Sequence, residues 1–346
     1  MDEKIIETKK KVNAVLKDVE KRAKGKYCLI CKKECSSFCN SHTIPQFVLR
    51  NIACNGELST SANFIIEKDT PIMETKKGIN NSNIFRRICN SCDKKYFAIY
   101  EDESILLKKP NDEILNSIVL KNILLELDKK LREKELKNIF EEKGETPPYA
   151  TQYNYIDTKE TREELQKVLN NKNKYNLFYW EKLDYIVPFA FQGKVVLHGD
   201  LEGNLVNDVY SSNYKIVMKN LYIFVFPLSS VSVVGMFINS NSVNYNSFIK
   251  QFVKLSKERK LQIINFLIFN KTENYSINQS VVENVCNNEI FMDICRDQGL
   301  LYKTLFDFFK SETILKKERV ELLKKYLNSN LIDEMPNLLS EEYALK

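Results

Sequence analysis

Between residues 4 and 24, Ile5, Val12, Val15, Leu16 and Val19 recur at helical spacing among lysines, which predicts a basic amphipathic helix over 1–26. Its polar face carries Lys9, Lys10, Lys17, Lys21 and Arg22. A second helical pattern (Ile114, Leu115, Ile118, Val119, Ile123, Leu127, Leu131) starts after Pro110 and stops at Gly144 and Pro147-Pro148; it predicts a helix over 106–145 that links two domains. From about Leu177 to Asn239 the texture changes to the short β-branched and aromatic runs YIVPFAF, GKVVLHGD, YKIVM, LYIFVF and SVSVVGMFI, the signature of an antiparallel sheet. The longest apolar stretch, Leu221 to Ile238, approaches the length of a membrane span, but Pro227 and the serines at 229, 230 and 232 break it into two strands. Helical patterning returns over Ser247–Asn270, around Gln279–Asp293 and from Leu300 onward, so residues 146–346 read as an α+β domain.

Composition narrows the function classes. Nine glycines in 346 residues are few against an average usage of about 7%, which argues against a glycine-rich nucleotide-binding fold. The net charge of +6 permits a polyanionic partner without demanding one. The opening residues lack the apolar core of a signal peptide, and the nine cysteines among many lysines suit a reducing compartment, so a cytoplasmic protein with no membrane partner is expected.

The cysteines carry the sharpest chemistry. Cys28-x2-Cys31 and Cys89-x2-Cys92 are two close thiolate pairs, the arrangement a four-coordinate structural zinc requires, because each pair bites the metal from one tight turn. The 57 residues between the pairs must fold back on themselves. Cys35, Cys39 and His42 lie close enough in sequence to offer alternative ligands; the outer pairs are preferred because CDKKYF after Cys92 reads as the helix start of a treble-clef second knuckle. Cys54, Cys286 and Cys295 read as small buried hydrophobes. His198, in HGDLEGNLVND beside Asp200, Glu202 and Asp208, reads as a hairpin tip.

Within residues 27–103 the order Cys-x2-Cys, then Ser41-His42-Thr43-Ile44-Pro45, then an Asn before Cys-x2-Cys-Asp, resembles a zinc-stabilised HNH endonuclease module of ββα-metal fold, as in uncharacterised bacterial HNH-like proteins. The resemblance implies a zinc-binding module over 27–105 that hydrolyses nucleic-acid phosphodiester bonds, DNA before RNA, with an antiviral defence or toxin-like role. It implies His42 as the base that takes a proton from water and Asp93 as ligand of a catalytic Mg2+ or Mn2+, with Asn83 matching the middle Asn of the motif. Glu101, roughly 12 Å along a helix from Asp93 at 1.5 Å per residue, suits a supporting or substrate-side role. Arg86 and Arg87, just before the second knuckle, are the expected phosphate contacts. Ser41 departs from the pattern, which often has an aspartate before the base. On this reading the nuclease module is fused to a C-terminal α+β domain that recognises a trigger, a protein partner or a second copy of the chain; the rival reading is a non-catalytic zinc module that binds nucleic acid or protein.

Overall fold

The computed structural model describes residues 3–61, 73–145, 154–170, 173–208, 217–295 and 331–346. In chain order these form α1 (Glu3–Arg22), β1 (Ser41–His42), α2 (Gln46–Asn51), β2 (Glu57–Ser61), β3 (Met73–Gly78), β4 (Ile84–Phe85), α3 (Asn90–Phe97), α4 (Glu103–Leu106), α5 (Asp112–Glu142), α6 (Asn154–Leu169), β5 (Tyr175–Leu183), β6 (Phe189–Val195), β7 (Leu221–Pro227), β8 (Ser232–Asn239), α7 (Asn246–Phe252), α8 (Lys257–Lys271), β9 (Tyr275–Ile277), α9 (Gln279–Cys286) and α10 (Leu331–Glu334). This mixture of helices and antiparallel strands is the expected α+β class. Of the expected YKIVM strand, residues 214–216 lie outside the described residues and 217–218 have no regular structure; most of the expected helix from Leu300 also lies outside them.

The chain separates into two compact units, and the division differs from the contiguous one expected from sequence. One comprises Met1–Thr43, Ile84–Ile99 and Glu113–Asn173; the other comprises Ile44–Asn83, Tyr100–Asp112 and Lys174–Lys346. The expected module over 27–105 is therefore split, and most of the segment between the cysteine pairs folds with the C-terminal sheet.

In the first unit α5 is a packed helix and not a link. Its Ser117 hydroxyl donates to the Tyr96 carbonyl at 2.9 Å, and the Lys121 ammonium lies 4.6 Å from the centre of the Phe97 ring, so α5 is fastened to α3 by polar and cation–π contacts. Arg87 and Asp128 form a buried ion pair at 2.5 Å that joins the second knuckle to the same helix. The strands β1 and β4 form a two-stranded antiparallel ribbon with Ser41 opposite Phe85 and His42 opposite Ile84.

The second unit is built on a seven-stranded antiparallel sheet in the order β3-β2-β9-β6-β7-β8-β5. Every residue of β7 is buried, which explains its unbroken apolar run: a central strand covered on both faces has no need to alternate. The β7–β8 turn closes through Leu228 N–H donating to the Val231 carbonyl, as the Pro227 break predicts. A Cβ on Gly235 would sit 2.1 Å from Cζ of Phe224, its cross-strand partner, so the ring occupies the space that only glycine leaves. Helix α8 opens with the Ser256 side chain accepting from Arg259 N–H and lays Phe269 against Phe189 of β6 and Tyr275 of β9, with ring centroids 5.1 and 4.7 Å apart. Among the described residues no helix is long and apolar enough to cross a membrane.

Candidate metal centre and its surroundings

Cys28 and Cys31 sit on a knuckle made rigid by its own backbone. Tyr27 bridges Glu34 in antiparallel fashion, Cys28 N–H donates to the Lys33 carbonyl and Lys32 N–H donates back to the Cys28 carbonyl. The turn forces Lys32 to φ 60, and its ammonium stabilises that conformation by donating to the Leu29 carbonyl at 2.6 Å. The second pair enters from β4: Leu29 N–H donates to the Arg87 carbonyl, Cys39 N–H donates to the Ile88 carbonyl, and Cys89 caps α3 so that Cys92 lies in its first turn. The two knuckles are thus stitched together by backbone bonds before any ion is considered.

The four sulfurs of Cys28, Cys31, Cys89 and Cys92 all lie within 4.8 Å of one another, and Sγ of Cys31 and Cys89 are 3.9 Å apart. A tetrahedral ion with Zn–S bonds of about 2.3 Å separates its sulfurs by roughly 3.8 Å, so the cluster can hold a structural metal such as zinc with little contraction. Burial, and then the neighbouring thiols of Cys89, Cys31 and Cys28, pushes the Cys92 thiol far up. A bound dication reverses that direction by stabilising thiolates, which is the electrostatic reason such a cluster suits a metal. Cys35 and Cys39 stand outside the cluster, with Cys35 Sγ donating to the Lys33 carbonyl, so among the described residues the outer pairs supply the ligand set.

The residues expected to act on substrate are only partly brought together. His42 ends β1, half-buried, and Asp93 follows the last cysteine in the first turn of α3, where a carboxylate complements the helix dipole. They are linked through Ser41, whose hydroxyl is buried and donates to Asp93 Oδ1 at 2.5 Å. Asn83 and Glu101 belong to the other unit. Asn83 adopts φ 50 and spends its amide on the Ser276 hydroxyl in β9 at 2.8 Å, while Glu101 is exposed just past the turn Ala98–Tyr100. Arg86 is exposed and donates to Asn40 Oδ1 at 2.6 Å, which leaves it near the surface where a phosphate can reach. Arg87 is a correction: it is buried, with Nε on Asp128 and Nη1 on the Ala23 carbonyl, so it braces the unit instead of offering a phosphate contact.

Among the described residues no three carboxylate, imidazole or thiol ligands cluster around His42 and Asp93. A Mg2+-type ion keeps several waters and takes only one or two protein carboxylates plus substrate phosphates, so Asp93, whose Oδ2 has no hydrogen-bond partner among the described residues, fits such an ion but not one held permanently. His198 carries no such chemistry: burial, and secondarily Lys271, pushes its imidazole down to about 3. The nearby Asp200 carboxylate is consumed by its own loop and by α7, accepting from the backbone of Glu202 and Asn204 and from the side chains of Ser247 and Gln251. In the sequence Ser41 is visible only as a departure from a pattern; nothing in one sequence pairs residue 41 with residue 93. No protein-family profile, curated protein or solved structure matches this chain.

Proposed function

We propose that the chain is a metal-dependent endonuclease of HNH type, with zinc held by Cys28, Cys31, Cys89 and Cys92 and with His42 and Asp93 as the reacting pair. The observation that carries this reading is the Ser41–Asp93 hydrogen bond, which fastens the strand ending in His42 to the helix that begins at the cysteine cluster. His42 takes the proton of the attacking water. Asp93 would hold a Mg2+ or Mn2+ ion, which when bound neutralises charge on the scissile phosphate and the leaving oxygen. Arg86 and the exposed lysines Lys94 and Lys95 of α3 contact neighbouring phosphates, DNA being the preferred substrate.

The test is cleavage of plasmid DNA in Mg2+ or Mn2+. His42→Ala should keep its zinc and lose about 10²- to 10⁴-fold in rate, the usual contribution of a general base. Asp93→Asn should lose activity at low Mn2+ and recover part of it at high Mn2+. Cleavage by His42→Ala at the wild-type rate rules the mechanism out.

A second reading, a zinc module that binds nucleic acid or protein without cutting it, is favoured by one observation: the Asn83 amide is engaged by Ser276 within the sheet unit. DNA binding by the wild-type chain, with no cleavage under any divalent ion, would select it.

A further inference from the structure

Asp93 lies in the first turn of an eight-residue helix, half-buried, and among the described residues no cationic side chain pairs with it. Among the described residues its one side-chain hydrogen bond comes from Ser41, which is 1% exposed and fixed in register by the pairing of Ser41 with Phe85. Phe85 is itself wholly buried, so the serine hydroxyl is delivered from a strand whose partner is anchored in the core. A short bond from a neutral donor orients a carboxylate without cancelling its charge, which an arginine or lysine in that place would do. Ser41 Oγ occupies Oδ1 and leaves Oδ2, and it does so one residue from His42.

We propose that Ser41 is a positioning residue: it sets the Asp93 carboxylate for a divalent cation, resting on the reading of Asp93 as the cation ligand given above. The serine is then a working part of the site and not the mark of a decayed one. Groups hydrogen-bonded to metal-ligating side chains typically contribute 10- to 100-fold to metal affinity when they are lost. Asp93 with a single orienting partner should show an effect of that size.

The experiment titrates the full-length, zinc-loaded chain with Mn2+ in the presence of a short phosphorothioate DNA duplex, which supplies the phosphate ligands without being cut; the free ion is followed by electron paramagnetic resonance against the duplex alone, with zinc content measured in every sample. Ser41→Ala should keep its zinc and bind Mn2+ about 10- to 100-fold more weakly. Ser41→Thr, which restores a hydroxyl on the same strand, should recover most of that loss, and Asp93→Asn should lose the site. If Ser41→Ala binds Mn2+ as the wild type does while Asp93→Asn does not, Ser41 positions nothing. If Ser41→Ala loses its zinc as well, or Ser41→Thr fails to restore affinity, the hydroxyl is a structural pin and the proposal is overturned. A wild-type chain with no Mn2+ site, or an Asp93→Asn variant that retains one, overturns the cation reading itself and this inference with it.

Discussion

The buried pair of Arg87 and Asp128 gives the sharpest test of how the first unit is held together. The two side chains are 6% and 4% exposed and meet at 2.5 Å, with Arg87 Nη1 also donating to the Ala23 carbonyl. Removing one partner of a buried pair strands the other charge and costs about 3 to 5 kcal/mol. The outer partner Arg132 reaches Asp128 Oδ2 at 2.9 Å but is 39% exposed, so its share is at most about 1 kcal/mol. Asp128→Ala should fall near 3 kcal/mol, the low end, because the Ala23 carbonyl still accepts from the stranded guanidinium. The double variant Arg87→Met/Asp128→Leu should be close to wild type, since replacing both charges by apolar side chains removes the desolvation cost together with the attraction. Hydrogen exchange read on peptides of α1, α3 and α5 measures this unit directly, and Trp180, the sole tryptophan, supplies a separate fluorescence readout for the sheet. A loss under about 1 kcal/mol in Asp128→Ala, or a double variant as unstable as the single one, would refute the assignment of Arg87 as a buried brace.

Freshly purified protein should contain one zinc per chain by elemental analysis. Cys92→Ser should lose it and Cys35→Ser should keep it, since only the former belongs to the cluster. The imidazole of His198 is held down to about 3 against an ordinary 6.5, so the folded state binds fewer protons than the unfolded one between those values. That stability is complete above about pH 6.5 and is lost as pH falls, by about 2 kcal/mol at pH 5; urea melts at pH 7 and 5 should show a slope that His198→Gln flattens. Gly235→Ala should cost about 1 to 3 kcal/mol by overpacking against Phe224, read by the Trp180 melt.

What was legible in the sequence follows from how local each signal is. Two Cys-x2-Cys pairs announce themselves because each forms within one turn, and the β7–β8 hairpin is visible because a central strand is apolar at every position. The segment between the cysteine pairs was opaque for the opposite reason. Strand β2 reads ELSTS and β3 reads METKKG, with one leucine and one methionine between them, yet Ser59 and Thr60 are buried. Their strand character comes from pairing Ser59 with Ile277 and Thr60 with Ser276, partners more than two hundred residues away. The adjacent arginines show the same limit at smaller scale. Arg86 is exposed and Arg87 buried although they are neighbours of the same residue type, and only the distant Asp128 shows which one turns inward.

The interleaving of the units constrains how their roles can be separated. A fragment beginning near residue 150 keeps β5 to β9 but omits β2 and β3, so β9, a three-residue strand held between β2 and β6, would become an edge. Its Ser276 would lose Asn83, and Asn278 would lose the Ile52 carbonyl it donates to at 2.8 Å. An exposed edge with freed polar groups invites pairing with other chains. Failure of such a fragment would therefore report a broken sheet and not the absence of function in the C-terminal region. The cysteine unit is interrupted in turn: β1 ends at His42 and β4 begins at Ile84, with the chain between them committed to the sheet. Point substitutions at Ser41, His42 and Asp93, which leave both units whole, are the way to assign chemistry to this chain.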